Sequence, residues 1–228
     1  MADKPSRGLV FYGDGLAQFV HTHLHELASR GTCGFLSLPE SEDERVVREL
    51  ALLLDAYDPT ISERFMGLRA AIFTLGFTVV ELGDLSELLK LLGFHDAKAL
   101  ETCEFDLIFV HVLINGLIGR VLERAQLGSE ISSRLHFSVV MSYGSSAEIN
   151  HDLSLLFPRQ SYTVTGKNIR HHCPMLIAQW QNAVTRKDNA ERFSFEEFKE
   201  HGANLAIPAD RFLHELAFKL WKAPKYGA

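Results

Sequence analysis

In "VFYGDGLAQFVHTHLHELASRG", residues 10–31, an aspartate held between two glycines is followed by three histidines spaced two apart. Carboxylate and imidazole are the usual protein ligands of divalent ions, so the first chemistry to test is metal binding. In a strand His21, His23 and His25 would share one side, whereas in a helix only His21 and His25 do. The trailing "ELASRG" favours a helix. An i, i+4 histidine pair holds zinc only with a third ligand, and "HTHLH" lacks the inner glutamate of HExxH, although Glu26 follows directly. These histidines are expected on a partly exposed helix, not in a metal centre. Asp14 reads differently. It stands at the carboxyl end of the first apolar run, where open α/β sheets gather their ligands. The flanking glycines allow a metal or phosphate to approach closely, although Asp-Gly also makes ordinary turns.

Other candidates are weaker. "IRHHCP" sets His171 and His172 side by side before a strand-like run, and adjacent residues point to opposite sides when extended. Cys173 would be a third ligand or a small buried residue. His111, inside "FVHVL", is expected as a core histidine with satisfied neighbours. "SYGSS" lacks the GxSxG spacing of a nucleophile elbow, and "GLIGR" lacks the GK[ST] ending of a phosphate-binding loop. Lys219, Lys222 and Lys225 form a basic end expected as a solvated surface that complements a helix dipole.

The elements that position these residues alternate between short apolar runs and helical patterns, the signature of α/β layering. "LVFY" is a strand that ends at Gly13-Asp14-Gly15, and a helix follows from about Leu16 to Arg30, closed by Gly31. "DERVVRELALLLDAY" carries Val46, Val47, Leu50, Leu53 and Leu54 at helical spacing. "AAIFT" and "FTVVEL" are strand-like, and Asp84 caps the helix "DLSELLKLLGF". "FDLIFVHVLI", apolar on both faces, is a central strand. "LHFSVVMSY" and "PMLIAQW" add two strands, and "SFEEFKEHG" and "ADRFLHELAFKLWK" are helices, the last with Phe212, Leu216 and Leu220 on one stripe. Residues 145–170 give no readable pattern and form either a functional loop or an unparsed region.

Composition limits the classes. The chain has 228 residues, is 46% hydrophobic and 23% charged, and carries a net charge of -6, so it is globular and too acidic for a general nucleic-acid binder. No apolar run approaches the ~18 residues of a membrane span. The start "MADKPSRGLVFYGDG" enters a strand almost at once, leaving no room for a signal peptide. Cys33, Cys103 and Cys173 are odd in number and widely spaced, which suggests neither a disulfide framework nor a CxxC zinc site. The expected setting is the cytoplasm or nucleus, with neither nucleic acid nor membrane as partner.

Read in order, four stretches resemble the alkaline phosphatase superfamily, in particular the archaeal-type branch of cofactor-independent phosphoglycerate mutases. "FYGDGLA" with "THLHELASRGTCGFLSLP" is similar to that family's opening, where a DG strand end precedes "TPN(L/M)D-x-LA-x-x-G-x-x-G". "ERFMGLRAAIFTLGFTVVEL" is similar to its "YGL(K/R)AA" strand and the "LG-x-x-V-x-E" strand after it. "FDLIFVHV" matches "YDFVFVHV". "VTRKDNAERFSFEEFKEHGANLAIPADRFLHEL" resembles the closing part. The resemblance implies one domain over residues 1–228. It would be a three-layer α/β sandwich around a mostly parallel sheet, without the mutases' insert domain, which is missing between Asp58 and Glu63. It also implies that Asp14 corresponds to the first metal-ligand aspartate, and that the "HTHLH" histidines are surface or packing residues.

The departures decide the functional expectation. That family uses two divalent metals, held by several Asp and His residues, and a serine that carries the phosphoryl group, so losing the ligand set removes most of the chemistry. Where it continues "FVHV" with "DEAGH", this chain reads "LINGLIGR"; where it has an Asp-His pair after the next strand, this chain has "VVMSYGSS". One histidine survives as His171 or His172. Ser37 and Ser41 fall near the nucleophile region without its context. The expectation is an inactive superfamily-like module that binds or scaffolds a protein partner, with no cofactor. The alternative is a divergent phosphohydrolase or phosphotransferase using Mn, Zn or Mg at a site rebuilt from Asp14, His171 and His172, with His151 or Asp152. A Rossmann-like binder fits less well, because no GxGxxG follows the first strand.

Overall fold

The computed structural model describes residues 5–13, 21–38, 45–54, 67–74, 85–96, 98–111, 115–142, 174–182, 185–202 and 206–224. Its strands are β1 (Arg7–Gly13), β2 (Thr32–Ser37), β3 (Ala70–Thr74), β4 (Phe94–His95), β5 (Lys98–Ala99), β6 (Leu107–His111), β7 (Leu135–Met141), β8 (Met175–Trp180) and β9 (Ala206–Pro208). Its helices are α1 (Thr22–Arg30), α2 (Arg45–Leu53), α3 (Leu85–Leu91), α4 (Asn115–Arg124), α5 (Glu130–Arg134), α6 (Phe195–His201) and α7 (Phe212–Lys219), the last preceded by a 3-10 turn, Ala209–Arg211.

Seven strands form one sheet in the order β3-β6-β1-β7-β8-β2-β9, and β4 and β5 form a separate two-stranded ribbon. β8 alone runs against its neighbours; the other pairings are parallel. The expected mostly parallel α/β sheet is present. β1 sits between β6 and β7 because "GLVFYG" is buried throughout, and only a strand covered on both faces can bury consecutive side chains.

Alternation divides each strand between two cores. On the first face Leu9, Phe11, Ile108, Val110, Phe137 and Val139 meet Leu24 and Leu27 of α1, Leu88 and Leu89 of α3, and Ile118 and Val121 of α4. On the second, Val10, Tyr12, Leu107, Phe109 and Val140 meet Leu52 and Leu53 of α2 and Phe212, Leu213 and Leu216 of α7. The connections from β1, β3 and β6 run one way along the sheet and place their helices on the first face. The return from β2 to β3 carries α2 and uses the second, as a single crossover handedness requires.

Several sequence expectations need adjustment. β2, "TCGFLS", was not anticipated as a strand, yet it lies between β8 and β9. The helix over "NGLIGRVLER" was also unanticipated. Gly31 does follow α1, but in extended geometry rather than a left-handed turn. Glycine is needed there because a Cβ would stand 2.6 Å from the Gln179 carbonyl oxygen of β8. "FTVVEL", the Asp84 cap and residues 145–170 lie outside the described residues. Among the described residues no helix is long and apolar enough to cross a membrane.

Candidate functional site at the carboxyl edge of the sheet

β3, β6, β1 and β7 end on the same edge, and Thr74, His111, Tyr12 and Val140 stand level with one another across it. Alternation turns Tyr12 and His111 toward the second face, beside α2. There the Tyr12 hydroxyl donates to Glu49 Oε2 at 2.9 Å, both residues being buried. A carboxylate removed from water is tolerable only with donors close by, and the phenol supplies one of them. The half-buried His111 ring lies tilted against Tyr12, with centroids 5.3 Å apart. Neither of its nitrogens is hydrogen-bonded among the described residues. Ser142, one residue past β7, donates its N–H to the Gly13 carbonyl at 2.9 Å. Its side chain is 1% exposed, and its hydroxyl has no hydrogen-bond partner among the described residues. Three adjacent strand ends thus present a phenol, an imidazole and a hydroxyl on one face, where α/β sheets bind ligands.

Of the residues singled out in the sequence, Asp14, His171 and His172 lie outside the described residues, as do Ser41, His151, Asp152 and Cys173. Gly13, immediately before Asp14, is at the carboxyl edge as expected. His111 was expected as a satisfied core residue; it lies at the edge, half-buried, with no hydrogen bond to its imidazole nitrogens among the described residues. Ser37 is buried at the end of β2, and its hydroxyl donates to the Ile207 carbonyl of β9 at 3.3 Å. Cys33 is buried against the Ala28 carbonyl, and burial, with Asp188 and Glu197 nearby, pushes its thiol far up, so it is inert. Tyr12 and Glu49 were not singled out, whereas Ser142 opens "SYGSS", set aside for lack of nucleophile-elbow spacing. A signal did exist for Glu49: it falls three after Val46 and four before Leu53, a carboxylate on the apolar stripe of α2.

The "HTHLH" histidines serve packing. His21 and His25 share a face, their rings 6.3 Å apart. His25 Nδ1 accepts the Phe193 N–H at 3.1 Å. Burial, with His21 and Arg192 nearby, holds the His25 imidazole below its ordinary range, which keeps that acceptor lone pair free of a proton. His23 packs on α4, where a Cβ at Gly119 would stand 2.6–2.7 Å from its ring atoms Cε1 and Nε2. Asn115, which opens α4, accepts the His23 and Leu24 N–H groups at 3.1 and 3.4 Å, satisfying donors that the start of α1 would otherwise leave without partners. The segment "LINGLIGR" therefore binds α4 to α1 through Asn115 and Gly119, while Leu117 and Ile118 enter the core. Among the described residues no group of three His, Cys, Asp or Glu side chains is placed to hold a metal ion.

No protein-family model matches the chain, and no curated protein matches it. Among solved structures it is similar to the structure of the PH0037 protein from Pyrococcus horikoshii, with a TM-score of 0.61 and 11% sequence identity over 99% of each chain. At that identity the likeness shows the fold alone. The class defined is thus an α/β protein with a mostly parallel seven-stranded sheet and helices on both faces.

Proposed function

We propose that this chain is a catalytically inactive protein of alkaline phosphatase and phosphoglycerate mutase type, acting inside the cell as a binding or scaffold module for a protein partner. The observation that carries the reading is the use made of the β6–α4 junction. Where the resembled family continues "FVHV" with "DEAGH", its histidine position is taken by Leu117, which enters the core, and in the same segment Asn115 spends its side-chain oxygen on the α1 backbone and Gly119 makes room for His23. Two-metal phosphoryl transfer depends on the whole ligand set, so a junction built for packing leaves that chemistry without support. The test is release of phosphate from an aryl phosphate in the presence of Mn, Zn or Mg, comparing the native chain with Asp14→Ala. Equal background rates in both are expected; turnover abolished by Asp14→Ala would overturn the proposal.

One observation favours the second reading, a metal-dependent phosphohydrolase or phosphotransferase rebuilt around Asp14 and His171 or His172. His111 and Ser142 stand at the carboxyl edge with polar atoms that make no hydrogen bond among the described residues, a disposition that suits ligand binding. Under that reading Asp14→Ala and His111→Ala each reduce turnover by at least tenfold.

A further inference from the structure

The last turn of α7 covers polar side chains at the amino end of β7, the opposite edge from the candidate site. His136, Ser138 and Gln179 alternate with first-face core residues and therefore turn toward α7. The Lys219 ammonium donates to Gln179 Oε1, and Gln179 Nε2 donates to Ser138 Oγ at 3.2 Å. His136, two residues before Ser138, is 3% exposed, and its Nε2 has no hydrogen-bond partner among the described residues. The facing groups are Lys219 from α7, with Glu215 one turn earlier acting on that lysine, Gln179 from β8, Ser138 from β7 itself, and Gly8 opposite on β1. Lys219 is the charge that bears on the ring.

A neutral imidazole fits this buried position; an imidazolium beside an ammonium does not. We propose that His136 makes the docking of α7 acid-sensitive, so that proton uptake on its imidazole beside Lys219 makes the C-terminal helix open more often from the second face of the sheet. In the docked state burial and Lys219 keep the ring neutral, well below the ordinary range. In the undocked state it takes a proton near the ordinary value of about 6.5. Undocking therefore binds a proton, and its equilibrium constant rises about tenfold per pH unit below 6.5 and stays level above it. Phe212, Leu213, Leu216, Ala217 and Leu220 bury too much apolar surface for one proton to free the helix outright. What acid changes is how often it opens. Because the turn Ala209–Arg211 packs against α2, each opening also loosens the helix that holds Glu49 on Tyr12.

Hydrogen exchange of α7 backbone amides between pH 7.5 and 5, corrected for intrinsic rates, tests the proposal. An opening constant that rises about tenfold per unit below pH 6.5 in α7, but not in α4, is expected. The response should be flat in His136→Gln. An α7 response equal to that of α4, or one that persists in His136→Gln, would overturn it. Should that variant not fold, the native imidazole is followed by NMR. A His136 ring still neutral at pH 5 agrees with the proposal; a ring titrating near 6.5 in the folded protein refutes it.

Discussion

Tyr12 and Glu49 show how one side-chain pair can tie a sheet to its covering helix. The phenol gives the buried carboxylate a donor, and the 2.9 Å contact spans the boundary between β1 and α2. Tyr12→Phe removes that donor without emptying the space of the ring, and urea denaturation should show a loss of about 1.5–3 kcal/mol, the range for hydrogen bonds to charged groups. With Glu49→Leu as background the same change should cost less than about 0.5 kcal/mol, because no carboxylate is left to satisfy. Equal costs in both backgrounds would mean that the pair does not interact. Asp106 illustrates a second kind of residue-scale hold. Burial alone would raise its carboxyl, but the Arg69 side-chain and backbone N–H donors and the Lys222 and Arg69 charges outweigh burial and hold it below the usual range.

At the scale of elements, the α1–α4 contact rests on a glycine and an asparagine. Asn115→Ala should cost about 1 kcal/mol, the ordinary value of a cap, measured by thermal or urea unfolding. Gly119→Ala sets two effects against each other: alanine favours the helix by about 1 kcal/mol, but its Cβ meets the His23 ring. In a His23→Ala background the clash vanishes, so Gly119→Ala should stabilise there by about 1 kcal/mol and do worse in the native chain. The same elements explain what could be read in advance. β1 and β6 are almost unbroken apolar runs, β7 and β8 are apolar apart from His136, Ser138 and Gln179, and α7 carries a clean stripe, so the centre of the sheet was legible. β2 was not, because Cys33, Gly34 and Ser37 dilute its apolar pattern and Phe35 is buried by Phe195 and Phe198 of the distant α6. α4 escaped because Gly116 and Gly119 interrupt "NGLIGR". At the candidate site, the strand end before Asp14 was legible, but Tyr12 and Glu49 are 37 residues apart and meet only through the fold.

For the whole molecule, the buried His136 and the half-buried His25 set the response to acid. His136 and His25 are both held below the ordinary range by burial, so the unfolded chain binds their protons first as pH falls. Stability is therefore full above about pH 6.5 and declines below it, by about 1.4 kcal/mol per pH unit for His136, with a smaller, solvent-screened share from the more exposed His25. Asp106 has the opposite chemistry and the same direction. Its depressed carboxyl contributes stability above its unfolded value of about 3.9, and that contribution is lost as pH drops further. Chemical denaturation from pH 8 to 3 should show a plateau followed by a two-stage decline, with the first stage reduced in His136→Gln.

The inactive-module reading depends most directly on whether the folded chain holds metal. Purified protein is incubated with Mn, Zn and Mg, desalted, and its metal content measured by elemental analysis. Less than a tenth of an equivalent of each metal per chain is the predicted result, with no difference between the native protein and Asp14→Ala. One or two equivalents retained by the native chain and lost in Asp14→Ala would contradict it and establish a rebuilt metal centre.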